Sequence, residues 1–151
     1  MAAITPVTEI PNGFYPALRT ATAQATTGQT DWLIVPAWAR FLVVYFNLTG
    51  NAGTTPTSIP SFQAIPDGLF DDADALALFT GATITAASQH RYNIGPGVTG
   101  IADGTDSATA DANVGVNTVL PGTLIGIKVL NDRTTADETY TYTLVARFSG
   151  K

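Results

Sequence analysis

There is no cysteine anywhere in this chain, so disulfides and thiolate metal sites are excluded and stability has to come from packing and backbone pairing. Charge is nearly as scarce. Only 13% of the residues are Asp, Glu, Lys or Arg, about half the share of an average soluble domain. Seven scattered basic residues against twelve acidic ones leave a formal net charge of −5. Phosphate binding needs a concentrated basic surface, so a direct nucleic-acid partner is not expected. No apolar run is long enough to span a bilayer, and the start, Met1-Ala2-Ala3-Ile4-Thr5-Pro6, has no basic stretch followed by an apolar one. A soluble protein without a Sec-type signal and without a membrane partner is expected.

Groups for acid–base chemistry are few. Histidine occurs once, at His90, with Ser88 two residues away on the same face of a predicted strand, but there is no nucleophile-elbow motif around the serine. A cross-strand or surface role for His90 is the simpler expectation. The only glutamates are Glu9 and Glu138, and nothing in the pattern places two carboxylates in one cleft. Asp71, Asp72 and Asp74 form one acidic cluster, and Asp103, Asp106 and Asp111 a looser second one. Either could offer oxygens to a hard cation, yet neither has the EF-hand spacing with its closing Glu, so solvated loop carboxylates are expected. Gly95-Pro96-Gly97-Val98-Thr99-Gly100 has the letters of a dinucleotide-binding loop, but Ile101-Ala102-Asp103-Gly104-Thr105 cannot open the helix that motif requires. A glycine-rich turn is the plain reading. The sequon Asn47-Leu48-Thr49 falls inside a predicted strand and is discounted. No catalytic residue, cofactor or metal is expected.

What the chain does have is threonine, alanine, glycine and β-forming apolar residues. Residues 31–50, DWLIVPAWARFLVVYFNLTG, are the organising stretch. In an extended strand Phe41, Val43, Tyr45 and Asn47 point one way and Leu42, Val44, Phe46 and Leu48 the other. Both faces are largely apolar, which predicts a strand in the middle of a sheet, covered on more than one side by a second sheet, a long loop or another subunit. Trp32 and Trp38 are expected in the core or capping its end.

Further strands are predicted over 18–26 and 30–35, joined as a hairpin through Gly28-Gln29, and over 61–65, 77–80, 84–94, 114–119, 123–130 and 139–148. The segment 51–60 reads as a loop, 95–112 as a long loop, and 131–137 as a polar hairpin loop. The last strand alternates cleanly, with Tyr140, Tyr142, Leu144, Ala146 and Phe148 on one face. This pattern predicts an all-β, antiparallel β-sandwich, jelly-roll-like, occupying 17–151 as a single domain. Residues 1–16 carry three prolines and the turn signal Pro11-Asn12-Gly13, and read as an extended arm. Its apolar residues Ile4, Val7, Ile10, Phe14 and Tyr15 need a surface, either this domain or a partner, and are the candidate partner-binding residues.

The order of features carries a resemblance. A Thr/Ala-rich first strand is followed by Asp31-Trp32-Leu33-Ile34-Val35-Pro36-Ala37-Trp38-Ala39 and Phe41-Leu42-Val43-Val44-Tyr45-Phe46-Asn47-Leu48-Thr49. Pro56-Thr57 then opens the Phe62 strand before Pro66-Asp67-Gly68. Leu120-Pro121-Gly122-Thr123-Leu124 leads to Lys128, and Tyr140-Thr141-Tyr142-Thr143-Leu144 closes the series. This resembles small structural proteins of tailed-bacteriophage virions. The resemblance implies a non-enzymatic β-sandwich, made in the host cytoplasm, that decorates or cements the outer surface of the phage head. Such proteins are usually oligomers, here expected as a homotrimer, seated on the major capsid protein. The long segments 69–80 and 95–112 depart from the plainest form of the pattern, which leaves open a tail or fibre location and a receptor- or carbohydrate-binding module.

Overall fold

In the computed structural model, residues 4–8, 11–24, 28–53, 57–65, 75–98, 110–121, 124–132 and 137–150 are described, and every regular element among them is a strand. They are β1 (Phe14–Gln24), β2 (Gly28–Ile34), β3 (Phe41–Ala52), β4 (Thr57–Ile65), β5 (Leu76–Thr80), β6 (Ser88–Gly95), β7 (Ala112–Asn117), β8 (Leu124–Asp132) and β9 (Thr139–Ser149). Two sheets form, one in the order β1-β9-β3-β6-β7 and the other β2-β8-β4-β5, and they pack face to face as a β-sandwich. All neighbours are antiparallel except β6 and β7, which run parallel. The pairs nest. β1 lies on β9, β2 on β8, β3 on β6 and β4 on β5, as though one long hairpin had been rolled up with its strands shared between two sheets.

The organising strand sits where its apolar character placed it, at the centre of the larger sheet. Leu42, Val44, Phe46 and Leu48 point into the sandwich and are fully buried, opposite Leu33, Phe62, Ile125, Ile127 and Val129 from the other sheet. β9 contributes Tyr140, Tyr142, Leu144, Ala146 and Phe148 to the same core, as its alternation predicts. Each large aliphatic or aromatic side chain buried in this way contributes about 1.5–3 kcal/mol. An aromatic cluster ties the layers together, with Phe62 edge-on to Tyr92 at 5.0 Å and Phe46 tilted on Tyr142 at 5.3 Å. The other side of β3 is different. Phe41, Val43 and Asn47 are half-buried and Tyr45 is 46% exposed, so the second covering layer expected for this strand is not supplied by the described residues.

Several sequence expectations need correction. The predicted strands 18–26 and 30–35 correspond to β1 and β2 but do not form a hairpin, because β1 pairs with β9 and β2 with β8 in opposite sheets. The 131–137 connection likewise crosses from one sheet to the other instead of closing a hairpin. The 51–60 loop is shorter than expected, since β3 runs to Ala52 and β4 starts at Thr57. Pro60 is tolerated inside β4 because the polar main-chain atoms on its side face away from β8. Ser58 exchanges hydrogen bonds with Ile84, and the Pro60 carbonyl accepts from Gly81 N–H at 2.8 Å.

The arm ends sooner than residue 16. Asn12 (φ 69°) and Gly13 (φ 65°) make the turn that Pro11-Asn12-Gly13 signals, and the sheet begins at once, with Phe14 opposite Arg147 and Tyr15 opposite Ala146. Upstream, Ile4 rests on a small cluster of Trp32, Ile65 and Leu124, while Val7 packs against the main core and its N–H donates to the Trp32 carbonyl at 2.8 Å. Trp32 is buried and lies flat on Gly126, its partner in register, where a Cβ would come within 2.7 Å of the indole. Trp38 caps one end of the sandwich and is half exposed.

Candidate functional site

The outer face of the larger sheet can be read off the strand registers. One row runs Phe14–Arg147–Val43–Asn93–Gly115, and the next runs Val145–Tyr45–Arg91–Asn113. The side chains along both rows are half-buried or exposed. Except for Gly115 and Asn113 they line, together with Phe41, Val98 and Ser149, an open trough of about 600 Å³. A second hollow of about 380 Å³ continues from it past Tyr45 and Arg91 towards Asn47, Gln89 and Asn113. Tyr45 therefore stands between two depressions.

The floor of the trough is apolar by construction. Phe41 lies over Gly95, where a Cβ would run into the phenyl ring, so the glycine that closes β6 is what lets Phe41 lie down on the sheet. Polar groups frame this floor. The Arg91 guanidinium lies 5.5 Å from the centre of the Tyr45 ring, a cation–π contact, and Arg40 lies 5.9 Å from the Phe41 ring at the rim. Asn93 donates to Asn113 Oδ1 at 2.7 Å, which fixes both amides. The Arg91 Nε is covered and has no hydrogen-bond partner. Among the described residues no Asp or Glu lines the larger trough; the carboxylate in the second hollow is Asp111, which accepts from the Gln89 backbone N–H at 2.7 Å. In a chain of net charge −5, the described lining of the larger trough has two arginines and no acid.

The sequence-derived candidates fall elsewhere. Of the arm residues, Ile4 and Val7 lie against this same domain, Tyr15 is in the core, and only Phe14 reaches the trough; Ile10 lies outside the described residues. Asp71, Asp72, Asp74, Asp103 and Asp106 also lie outside them. Among the described residues no three His, Cys, Asp or Glu side chains converge as a metal site requires. Gly97 takes a positive φ of 71° and its N–H donates to Asn117 Oδ1, so the described part of the glycine-rich segment is a turn bonded to β7.

Ser88 and His90 do meet, Oγ to Nε2 at 2.8 Å, but in the interior, with His90 1% exposed and packed between Phe46 and Tyr92. The cross-strand role expected for His90 is what it has, and the surface alternative is not. The Ser88 Oγ also lies 3.0 Å from the Ala86 carbonyl oxygen, which can only accept, so when the hydroxyl donates there the ring nitrogen is the donor of the Ser88–His90 pair.

Arg91, Arg147 and Tyr45 were not singled out by motif reasoning. The alternation signals only that both arginines point outward from predicted strands; that those strands flank 40–49 comes from the pairing registers. Among the described residues no helix is long and apolar enough to cross a membrane. The chain matches no protein-family model, no curated protein and no solved structure.

Proposed function

We propose that this chain is a non-enzymatic structural protein of a tailed-bacteriophage virion, a decoration or cement subunit on the outer surface of the head that binds and stabilises the major capsid protein. The observation that carries the reading is the uncovered strip of Phe41, Val43, Tyr45 and Val145 along the middle of the larger sheet. A strand this apolar on both sides is rarely left with one side in water, and the missing layer fits another protein. Aromatic residues and arginine are the types concentrated in interface cores, where Asp, Glu and Lys are depleted, and the strip has the first and lacks the second.

The nested strand pairing supports the same reading. With β7 set aside, we read it as jelly-roll-like, an architecture much used by viral capsid proteins. The low charge of the chain fits a protein that spends its life packed against others, and a homotrimer is the assembly we propose.

The test is addition of the purified protein to undecorated heads. Saturable binding and a higher temperature of head rupture are expected, with Tyr45→Ala weakening both. A monomer by light scattering, together with no copies in purified particles, overturns the reading. A second reading, a receptor- or carbohydrate-binding module of a tail or fibre, draws on the exposed Tyr45 ring beside Arg91 and Asn113. Glycan-array binding lost in Tyr45→Ala would select it over the first.

A further inference from the structure

We infer that the trough captures an extended acidic segment of the partner protein, one that presents two carboxylates four residues apart with an apolar side chain midway between them. The inference rests on the reading of this face as a docking surface and specifies what docks there.

Charge comes first. Arg91 and Arg147 face the trough without a carboxylate partner among the described residues, whereas Arg19 is paired with Asp31. The Arg91 Nε is covered, so a carboxylate in the trough would meet the end of the guanidinium, where it lies over the Tyr45 ring. A partner that brings carboxylates to this face meets no acid lining the trough to repel it.

Spacing comes second. Arg147 and Asn93 both stand opposite Val43, and Arg91 is two residues from Asn93, so the two arginines sit on strands either side of β3 and are offset by two residues. With strands about 4.8 Å apart and a rise of about 3.3 Å per residue, their Cα atoms are about 12 Å apart. An extended chain repeats its side-chain direction every second residue, and positions i and i+4 are about 13 Å apart on one face. The line joining the arginines crosses β3 between Val43 and Tyr45, which is where side chain i+2 lands. An apolar group there covers the strip that water now covers, and the two carboxylates fix the direction and register of the segment.

The probe is a fluorescein-labelled, end-blocked peptide, Ser-Glu-Thr-Leu-Thr-Glu-Ser, titrated with the full chain and followed by anisotropy and by amide shifts along β3, β6 and β9. Gln in place of both Glu is expected to weaken binding about tenfold or more, and so is the Arg91→Gln/Arg147→Gln double variant, whose thermal melt should match the parent. Moving the two Glu to i and i+2 is expected to weaken it about threefold or more. Equal binding of the Gln peptide, or no effect of the arginine changes, overturns the inference, as does tighter binding of an acidic oligosaccharide through the same arginines.

Undecorated heads separate this inference from the functional reading. Attachment lost with Tyr45→Ala but retained by the arginine double variant keeps the face as a docking surface and removes the acidic segment. Attachment retained by both removes the two together. Attachment lost with both supports the two together.

Discussion

Arg19 and Asp31 close the open side of the sandwich with a two-point ion pair, Nε to Oδ2 at 2.8 Å and Nη2 to Oδ1 at 2.6 Å. Each stands on an edge strand, β1 of one sheet and β2 of the other, so the pair is a clasp between layers. Gln29 accepts a further hydrogen bond from Arg19 Nη1. Burial by itself would lower the Arg19 pKa, and the hydrogen bond and charge of Asp31 more than offset it, leaving the guanidinium above its ordinary value.

Removing one half of the clasp should therefore hurt more than removing both. Breaking a fully buried pair costs about 3–5 kcal/mol; with 22% of the Arg19 side chain still in solvent, Asp31→Ala should cost about 2 kcal/mol. Urea denaturation should show that loss. The double variant Arg19→Met/Asp31→Leu should recover at least half of it, because no charge is then stranded.

Tyr142 lies beside the clasp, inward-facing, and its hydroxyl is buried without a hydrogen-bond partner. Burial raises its pKa above the ordinary value of 10.0; the Arg19 charge pulls it down and the Asp31 charge adds to the rise. A raised phenol pKa means the folded state holds its proton longer than the unfolded chain. The associated stability is whole below pH 10 and is lost as pH rises through the folded-state value. Tyr142→Phe should thus be neutral or stabilising by up to about 1 kcal/mol at pH 7. Melting temperatures measured from pH 9 to 11 should fall less steeply in the variant than in the parent.

The core between the sheets and the outer face of the larger sheet should answer differently to truncation. Phe62→Ala opens a cavity beside Tyr92 and Phe79 and should cost about 3–5 kcal/mol. Tyr45→Ala removes a side chain 46% exposed on the outer face and should change stability by less than about 1 kcal/mol. Calorimetry on both variants checks the contrast, and it validates Tyr45→Ala as a probe of docking.

Deleting residues 2–8 should lower the melting temperature, because Ile4 and Val7 cover Trp32 and the core edge. Two half-buried aliphatic side chains contribute about 2 kcal/mol together, which is roughly 4–8 °C for a domain of this length. If the truncated protein melts where the parent does and loses only attachment to heads, these residues serve the partner instead.

Strand existence was legible in the sequence because the period-two pattern is local: 40–49 and 139–148 announce their buried faces residue by residue. Strand partnership was not, because it depends on which sheet each strand joins. Gly28-Gln29 reads as a hairpin turn, yet both residues pair with β8, and β1 and β2 belong to different sheets. The start of β1 was hidden for a different reason. Pro16 argues against a strand, but it falls within the irregular register between Tyr15 and Arg19, where a missing N–H is tolerated. The trough was half legible. The apolar outer side of β3 was visible as a face in need of cover, whereas the convergence of Arg147 and Arg91 on it required the register of three strands.

β9 is the ninth strand made and lies second in the larger sheet, between β1 and β3. During synthesis β1 leaves the ribosome first and must wait for nearly the whole chain before its only neighbour exists. Such remote pairing is slow to form, on the order of milliseconds to seconds after release. Until then β1 and β3 carry unpaired strand edges. A stop codon just before Thr139 would therefore do more than shorten the protein: it would strand β1 and leave a sheet able to pair with the wrong chain.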